Sequence, residues 1–273
     1  MKTILIFGTG SLSQSFAKKL TSIGYLVTSA STQELLEISE SKKIPELSSF
    51  TIILWCARDS GTPSNSDNSS NILYRLLDEI KFTSWNGLFA FISSAGEVYG
   101  NTVDKEANEE TPPRPISLYG NMKQNHEKLI QSLGSEKHLK VLILRVSNLY
   151  ELSSTDQGIV GAILRNIEFG EVLKISGGEQ CRDFIEINEC ANAVVQLIEL
   201  DEEGIFNIAT GKSISILKLI SLIEKAHGKT ILYHADIDFA GVMTANFSID
   251  KFFHSTKYLP IGIEKNISSF FKI

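Results

Sequence analysis

A tyrosine and a lysine one helical turn apart are the residues of this sequence best suited to acid/base chemistry. Tyr119 and Lys123 stand four positions apart in Tyr-Gly-Asn-Met-Lys, so a helix would place both on one face. A free phenol ionises only near pH 10, and an ammonium about 4 Å away favours its ionised form by about 4 kcal/mol at an effective dielectric of about 20. The pair could therefore exchange a proton with a carbonyl or hydroxyl oxygen. An exposed aromatic beside a solvated lysine is the alternative interpretation.

A glycine-containing turn near the N-terminus has the pattern of a phosphate-binding loop. The segment Gly-Thr-Gly-Ser-Leu at 8–12 follows an apolar run at 4–7 and opens a pattern of helical spacing. In such a turn the glycines permit a tight bend and close backbone approach, and the helix N-terminus supplies amide donors. Ser13 replaces the third glycine, which leaves the motif incomplete. Its position at the first strand-to-helix junction predicts a dinucleotide site that uses Gly8, Gly10, Ser11 and Leu12.

The end of the second predicted strand bears on the choice of cofactor. Sites that prefer NAD usually place an Asp or Glu there, which accepts hydrogen bonds from the adenosine ribose. Here Thr28 and Ser29 supply hydroxyl groups and no carboxylate, and we expect Ser29 to contact the cofactor. The missing acid removes repulsion toward a 2′-phosphate, although no arginine follows to bind one. Both NAD and NADP fit, and the missing carboxylate favours NADP.

Alternating apolar strands and amphipathic helices place the chain in the α/β class. Strands are predicted at 4–7, 25–28, 51–55, 88–92 and 141–144, with helices between them, which indicates a doubly wound parallel sheet of the Rossmann type. After Tyr150 the alternation loosens, and no linker is visible. We therefore expect a small C-terminal lobe interleaved with the sheet. The predicted division is 1–151 plus 181–211 for the cofactor domain, and 152–180 plus 212–273 for the lobe.

Composition and charge exclude several classes of function. The 273 residues include 26 Lys and Arg against 32 Asp and Glu, a net charge of −6, and no basic run that would bind nucleic acid. The apolar run at 4–7 is shorter than the roughly 7–15 residues of a signal peptide core, and no stretch approaches the ~18 apolar residues of a membrane span. The three cysteines lack metal-like spacing, so no metal is expected. These features predict a cytoplasmic protein.

Several ordered motifs resemble one known family over nearly the whole chain. They are Ser-Ser-Ala-Gly-Glu-Val-Tyr-Gly at 93–100, Glu-Thr-Pro-Pro-Arg-Pro at 110–115 followed by Ser-Leu-Tyr-Gly at 117–120, Leu-Arg-Val-Ser-Asn-Leu-Tyr at 144–150, Arg-Asp-Phe-Ile at 182–185, and Phe-Asn-Ile-Ala at 206–209. With these motifs the chain resembles the extended short-chain dehydrogenase/reductases, which include nucleotide-sugar epimerases, dehydratases and keto-reductases. The resemblance implies a Rossmann domain that carries NAD(P) and a lobe that closes over a nucleotide-diphospho-sugar.

The resemblance also assigns expected roles to individual residues. Tyr119 would be the acid/base, while Lys123 would orient the nicotinamide ribose and make the tyrosine more acidic. Asn148 would approach the sugar or the diphosphate. Arg182 would pair with the diphosphate, a role that suits its planar fork. An ion pair between Arg182 and a neighbouring acid, Asp183 or Glu186, is the alternative.

The sequence departs from the family pattern around the first of these motifs. The family's catalytic hydroxyl usually lies four residues before the tyrosine of Val-Tyr-Gly, which here is Ala95. Ser94 is the nearest substitute and Ser93 the second, either of which would contact the reacting sugar. Dehydratases of the family place an Asp-Glu pair next, where this chain has Gly96 and Glu97, which argues against dehydration. Glu97 is a candidate substrate-site acid, with an exposed loop carboxylate as the alternative.

Two reactions fit the expected site. One is reduction of a 4-keto nucleotide sugar by hydride transfer, which needs an exchangeable cofactor. The other is 4-epimerisation, which needs a tightly held cofactor. The incomplete loop motif and the missing acid favour exchange and therefore reduction. A third hypothesis, a non-catalytic regulator that binds the cofactor, conflicts with the retention of both Tyr119 and Lys123.

The resemblance further implies a homodimer. Its interface would be formed by the helices around 72–80 and 118–133. The apolar positions of both helices are equally explained by packing against the sheet.

Overall fold

Eleven strands are present in the computed structural model, which describes residues 2–31, 46–57, 68–102, 105–155, 158–236, 239 and 241–271. In chain order they are β1 Thr3–Phe7, β2 Leu26–Ala30, β3 Ile52–Trp55, β4 Leu88–Ser94, β5 Lys140–Val146, β6 Asn148–Tyr150, β7 Leu173–Ser176, β8 Cys181–Glu186, β9 Gly204–Ile208, β10 Ser213–Ser215 and β11 Tyr233–Asp236.

A central sheet of six parallel strands has the order β2-β1-β3-β4-β5-β9. The chain crosses from β2 to β3 over β1, so the order of the strands reverses at β1. The predicted doubly wound parallel sheet is confirmed. Two small sheets lie outside it, with the orders β10-β8-β6 and β11-β7. They supply the smaller lobe, which the chain enters after β5 and leaves to build β9.

The helices of the described residues are α1 Ser11–Ser22, α2 Asn68–Phe82, α3 Ala95–Tyr99, α4 Leu118–Lys137, α5 Gly158–Phe169, α6 Ile187–Glu199, α7 Ile216–His227, α8 Asp250–Thr256 and α9 Ile263–Phe270. Helices cover both faces of the central sheet, which explains why its strands are continuous apolar runs. One face packs on α1 and α6, and the other packs on α2 and α4. Successive residues of β1 alternate between these two cores.

A third apolar cluster forms the core of the lobe. It joins side chains of α5, α7 and α9 to β7 and to Tyr150, Leu152 and Phe184. Phe252 of α8 packs instead in the core beneath the central sheet. The predicted residue boundaries of the two domains stay a prediction.

Several predicted elements differ from the observed ones at their ends. The strand predicted at 88–92 continues through Ser93 and Ser94 as β4, and the residues after them form α3. Strand β8 ends at Glu186, because the Glu186 carboxylate accepts hydrogen bonds from the first amides of α6 and so starts that helix. Helix α4 continues past 133 to Lys137 and ends at His138, which has a left-handed conformation.

The two helices proposed to form a dimer interface pack closely on the sheet. The apolar positions of α2 at 72, 73, 76, 77 and 80 and of α4 at 130 and 133 are buried in the core on that face. Packing within one chain therefore accounts for these positions, and the homodimer stays a prediction. Within the described part of the chain, no helix has the length and apolar character that crossing a membrane requires.

Candidate active site

A cavity of about 390 Å³ opens where β1, β3, β4 and β5 end, beside the reversal of strand order. This edge of a doubly wound sheet is where such folds bind ligands. The predicted site residues that line it are Gly10, Ser11, Leu12, Ser93, Ser94, Tyr119, Lys123 and Asn148. Four predicted site residues are not part of the lining formed by the described residues: Gly8, Ser29, Glu97 and Arg182. Ser29 lies exposed on the edge strand β2.

The turn between β1 and α1 has the geometry that a pyrophosphate needs. Gly8 has a φ of 126°, and a Cβ there would lie 3.1 Å from the backbone nitrogen of Ala57, so a glycine is required. Gly10 is the N-cap of α1 and provides no side-chain cap, and a Cβ on it would meet nothing within 4 Å. Ser11 and Leu12 line the cavity, so the first amides of α1 lie beside it, a position that suits an anion.

Ser13, which replaces the third glycine of the loop motif, packs inside the protein. Its side chain is buried, and its Oγ lies 2.8 Å from the Sγ of Cys56, just beyond β3. Burial raises the pKa of the Cys56 thiol to about 11, so the thiol stays protonated at neutral pH. All three cysteines are free, and no group of three or more potential metal ligands occurs among the described residues.

Helix α4 carries the tyrosine and lysine into the cavity. Its N-cap is Ser117, whose side-chain oxygen accepts a hydrogen bond from the Gly120 amide at 2.9 Å. Lys123 is 2% exposed, and its Nζ donates to the backbone oxygen of Ile92 at 3.2 Å. The same Nζ lies 5.7 Å from the centroid of the Tyr119 ring. The two side chains thus share one face and one cavity.

The two serines at the end of β4 differ in their surroundings. Ser93 is buried, and its hydroxyl donates to the Glu127 carboxylate. Ser94 is half-buried, and its hydroxyl has no hydrogen-bond partner among the described residues. Ala95, where the family's hydroxyl is expected, is fully buried. The available hydroxyl of Ser94 makes it the better candidate for contact with a substrate.

A buried ion pair beneath the cavity was missed by the sequence analysis. Arg145 of β5 contacts Glu127 of α4 through two nitrogens, with Nη2 at 2.7 Å from Oε2 and Nε at 3.1 Å from Oε1, and both side chains are 3% exposed. The Arg145 guanidinium also lies 4.7 Å from the centroid of the Tyr99 ring. Two features of the sequence point to this pair. Glu127 lies one helical turn beyond Lys123, and Arg145 interrupts an apolar strand. The pair ties α4 to β5.

Glu97 helps to hold the N-terminus of α4. It lies half-buried on α3, so the alternative interpretation as an exposed loop carboxylate is wrong. Its carboxylate accepts a hydrogen bond from the hydroxyl of Ser117. Its backbone oxygen would lie only 2.3 Å from a Cβ placed on Gly120. The close approach of α3 and α4 therefore requires a glycine at 120, next to Tyr119.

We expect Gly120→Ala to lower the free energy of unfolding by about 1–3 kcal/mol and to reduce activity, because the added methyl forces α3 away from the helix that carries Tyr119. Urea unfolding monitored by circular dichroism measures the first effect. Gly96→Ala is the matched control, since a Cβ there would meet only the Phe247 ring at 4.0 Å. A Gly120→Ala protein as stable as Gly96→Ala would contradict this interpretation of the contact.

Arg182 does not form the alternative ion pair with a neighbouring acid. Asp183 is fully buried and accepts from Ser147, from Thr210 and from the backbone amide of Lys212, all at 2.9–3.2 Å. Glu186 caps α6. Arg182 donates to the backbone oxygen of Cys181 at 2.8 Å, and no salt bridge to it occurs within the described residues.

The environment of Arg182 nevertheless favours an anion. Its guanidinium lies 5.9 Å from the centroid of the Phe239 ring. Burial lowers the pKa of Arg182, and the charge of Glu97 works in the opposite direction. A half-buried guanidinium without a carboxylate in contact is available to an anionic ligand.

Comparison with known proteins places this geometry in context. The dTDP-4-dehydro-6-deoxyglucose reductase of Escherichia coli is 33% identical over 152 residues, which cover 54% of this chain and 48% of that protein. The chain thus spans about half the length of the curated relatives it matches. Among solved structures, the Thermus thermophilus UDP-glucose 4-epimerase in complex with NAD has a TM-score of 0.82, 19% identity and 99% coverage of both chains. The RMD of Pseudomonas aeruginosa with NADPH has a TM-score of 0.81 and 20% identity, with coverage of 100% and 98%.

These structural similarities establish the fold, and a match to a family model identifies the family. Residues 6–209 match the NAD dependent epimerase/dehydratase family. That range contains the loop at Gly10, the Tyr119 and Lys123 pair and the Arg182 strand. The match covers well over half of the 273 residues. On these grounds, the chain belongs to the NAD dependent epimerase/dehydratase family.

Proposed function

We propose that this protein is an NAD(P)-dependent oxidoreductase that reduces a 4-keto nucleotide-diphospho-sugar by hydride transfer. The observation that carries the proposal is one cavity that contains both Tyr119 and Lys123 and begins at the uncapped N-terminus of α1 beside Gly10. A phosphate-binding helix end and an acid/base pair within one cavity fit a dinucleotide cofactor and a reacting carbonyl.

Each end of the cavity would hold a different part of the ligands. Backbone amides at Gly10, Ser11 and Leu12 would bind the pyrophosphate of the cofactor, while Ser29 would lie toward its adenosine. The bound cofactor supplies the hydride. The lobe at 152–180 plus 212–273 would close on the sugar, with Asn148 and Arg182 as contacts to sugar or diphosphate.

Proton transfer falls to the chain's own residues. Tyr119 would donate its phenolic proton to the carbonyl oxygen as that oxygen gains negative charge. Lys123, close to the tyrosine ring, favours the phenolate that is left and would hold the nicotinamide ribose. Ser94 would hydrogen-bond the same oxygen and fix its position, while Ser93 supports the site through Glu127.

The reverse use of the same residues supports the alternative, a 4-epimerase. Tyr119 would then remove a proton during oxidation and return it after the sugar has rotated. The chain is similar to proteins of both kinds, a dTDP-4-dehydro-6-deoxyglucose reductase and a UDP-glucose 4-epimerase. The absence of an acid at the end of β2 favours an exchangeable cofactor, reduction and NADP.

One assay separates these possibilities. The purified protein is mixed with 4-keto hexoses carried on UDP, dTDP, GDP or CDP, each with NADPH or NADH, and the absorbance of the reduced nicotinamide is followed. We expect net oxidation of the cofactor, faster with NADPH. Tightly bound NAD in the purified protein, with interconversion of sugars and no net oxidation, would establish the epimerase instead. Cofactor binding without turnover on any sugar would support the regulator hypothesis.

A further inference from the structure

The cavity carries two charged side chains of opposite sign in its described lining. One is the Lys123 ammonium, which lies beside Tyr119. The other belongs to Glu151, a lining residue that has no role in the proposed hydride and proton transfer. A carboxylate in a site for phosphorylated ligands opposes their binding unless it lies away from the phosphates. Its position in the cavity therefore bears on which part of a ligand it meets.

Glu151 is held in place by its two neighbours. It directly follows β6, between Tyr150 and Leu152, which are 3% and 9% exposed and belong to the core of the lobe. The Tyr150 hydroxyl accepts a hydrogen bond from Asn266 at 2.8 Å, and β6 pairs with β8. With both flanking side chains anchored, the backbone at 151 has little freedom to withdraw the carboxylate from the cavity.

The Glu151 carboxylate is only partly satisfied. Its Oε1 accepts from the Ser153 hydroxyl at 2.8 Å. Its Oε2 has no hydrogen-bond partner in the described part of the chain, and the side chain is half-buried. A carboxylate oxygen without a donor from the protein favours a ligand group that donates a hydrogen bond and disfavours an anion.

Different residues of the cavity lining therefore suit different groups of the ligand. Phosphates belong at the helix N-terminus beside Gly10, where amides are available. The wall formed by Glu151 suits an uncharged or cationic group. We infer that Glu151 is a specificity-determining residue, which admits sugars with hydroxyl or amino donors and rejects sugars that carry a carboxylate. This inference rests on the proposed function, since it takes a nucleotide sugar as the ligand.

Glucose and glucuronic acid form a matched pair of probes, because they differ only in a hydroxymethyl group against a carboxylate. Calorimetric titration of the protein loaded with NADP would use both sugars on UDP, dTDP, GDP and CDP. Two like charges about 5 Å apart at an effective dielectric of about 20 predict a preference for the neutral sugar of about 300-fold. Glu151→Gln is expected to reduce that preference to about threefold, through tighter binding of the uronic acid.

Two further variants exclude a merely structural effect. Glu151→Asp keeps the charge and should retain the preference, and Glu203→Gln removes an exposed carboxylate outside the cavity lining and should not alter it. Equal changes for both sugars in Glu151→Gln, or a changed affinity for NADP alone, would overturn the inference. Failure of the wild-type protein to bind any of these sugars would overturn the proposed function and this inference with it.

Discussion

Tyr119→Phe is expected to lower kcat by about 100- to 10,000-fold, the range that general acid/base catalysis contributes. The substitution removes one oxygen and keeps the ring that lies 5.7 Å from the Lys123 Nζ. Lys123 keeps its bond to the backbone oxygen of Ile92, so the shape of the cavity and the cofactor site should persist. The loss should therefore appear in kcat, with the dissociation constant of NADPH unchanged.

Stopped-flow rates of hydride transfer, together with fluorescence titration of NADPH, measure the two quantities separately. Tyr233→Phe is the matched control, because it removes the same atom from an exposed tyrosine on β11, outside the cavity lining. We expect its kcat to equal that of the wild-type protein. A Tyr119→Phe enzyme that retains more than about a tenth of the activity would show that another group transfers the proton.

Arg145→Met is expected to reduce the free energy of unfolding by about 3–5 kcal/mol, because it leaves the Glu127 carboxylate buried without its cation. Ser93 still donates to that carboxylate, yet one hydroxyl does not replace a guanidinium. Urea denaturation followed by tryptophan fluorescence gives the value. Activity at a temperature well below the transition should also fall, since Glu127 lies one turn from Lys123 on α4.

The double variant Glu127→Leu/Arg145→Met tests whether the unpaired Glu127 carboxylate causes the loss of stability in Arg145→Met. Removing both charges eliminates the unpaired carboxylate, so the double variant should be more stable than Arg145→Met alone. Lys81→Met is the surface control, because its ion pair with Glu136 is 43% and 51% exposed and contributes at most about 1 kcal/mol. A double variant no more stable than Arg145→Met would contradict this explanation.

The central sheet was predictable because its signal is local. Four apolar residues between turn signals define strands such as β1 and β3, and helices packed on both faces require such runs. The position of Tyr119 and Lys123 on one face follows from helical spacing alone. The cavity adds a fact that spacing does not contain, namely that this face meets the turn at Gly10.

The rest of the site depends on contacts between distant residues, which a single sequence does not specify. Glu127 and Arg145 lie 18 positions apart in a helix and a strand, and only the packing of α4 on the sheet brings them together. The difference between Ser93 and Ser94 likewise depends on Glu127, which accepts from the Ser93 hydroxyl, and the assignment of Ser94 to the substrate stays a prediction. The alternative pairing of Arg182 with an adjacent acid failed because Asp183 is committed to Ser147 and to the turn after β9.

The interleaving of sheet and lobe has a consequence for the order in which the protein folds. Five strands of the central sheet precede the lobe elements that begin with β6, but the sixth strand, β9, is added only from residue 204 onward. Until that segment has left the ribosome, β5 presents an open edge and Phe206 is missing from the core. The sheet can be completed only after β6, β7 and β8 of the lobe have been made, and the rest of the lobe follows β9, so we expect the sheet and the lobe to fold together.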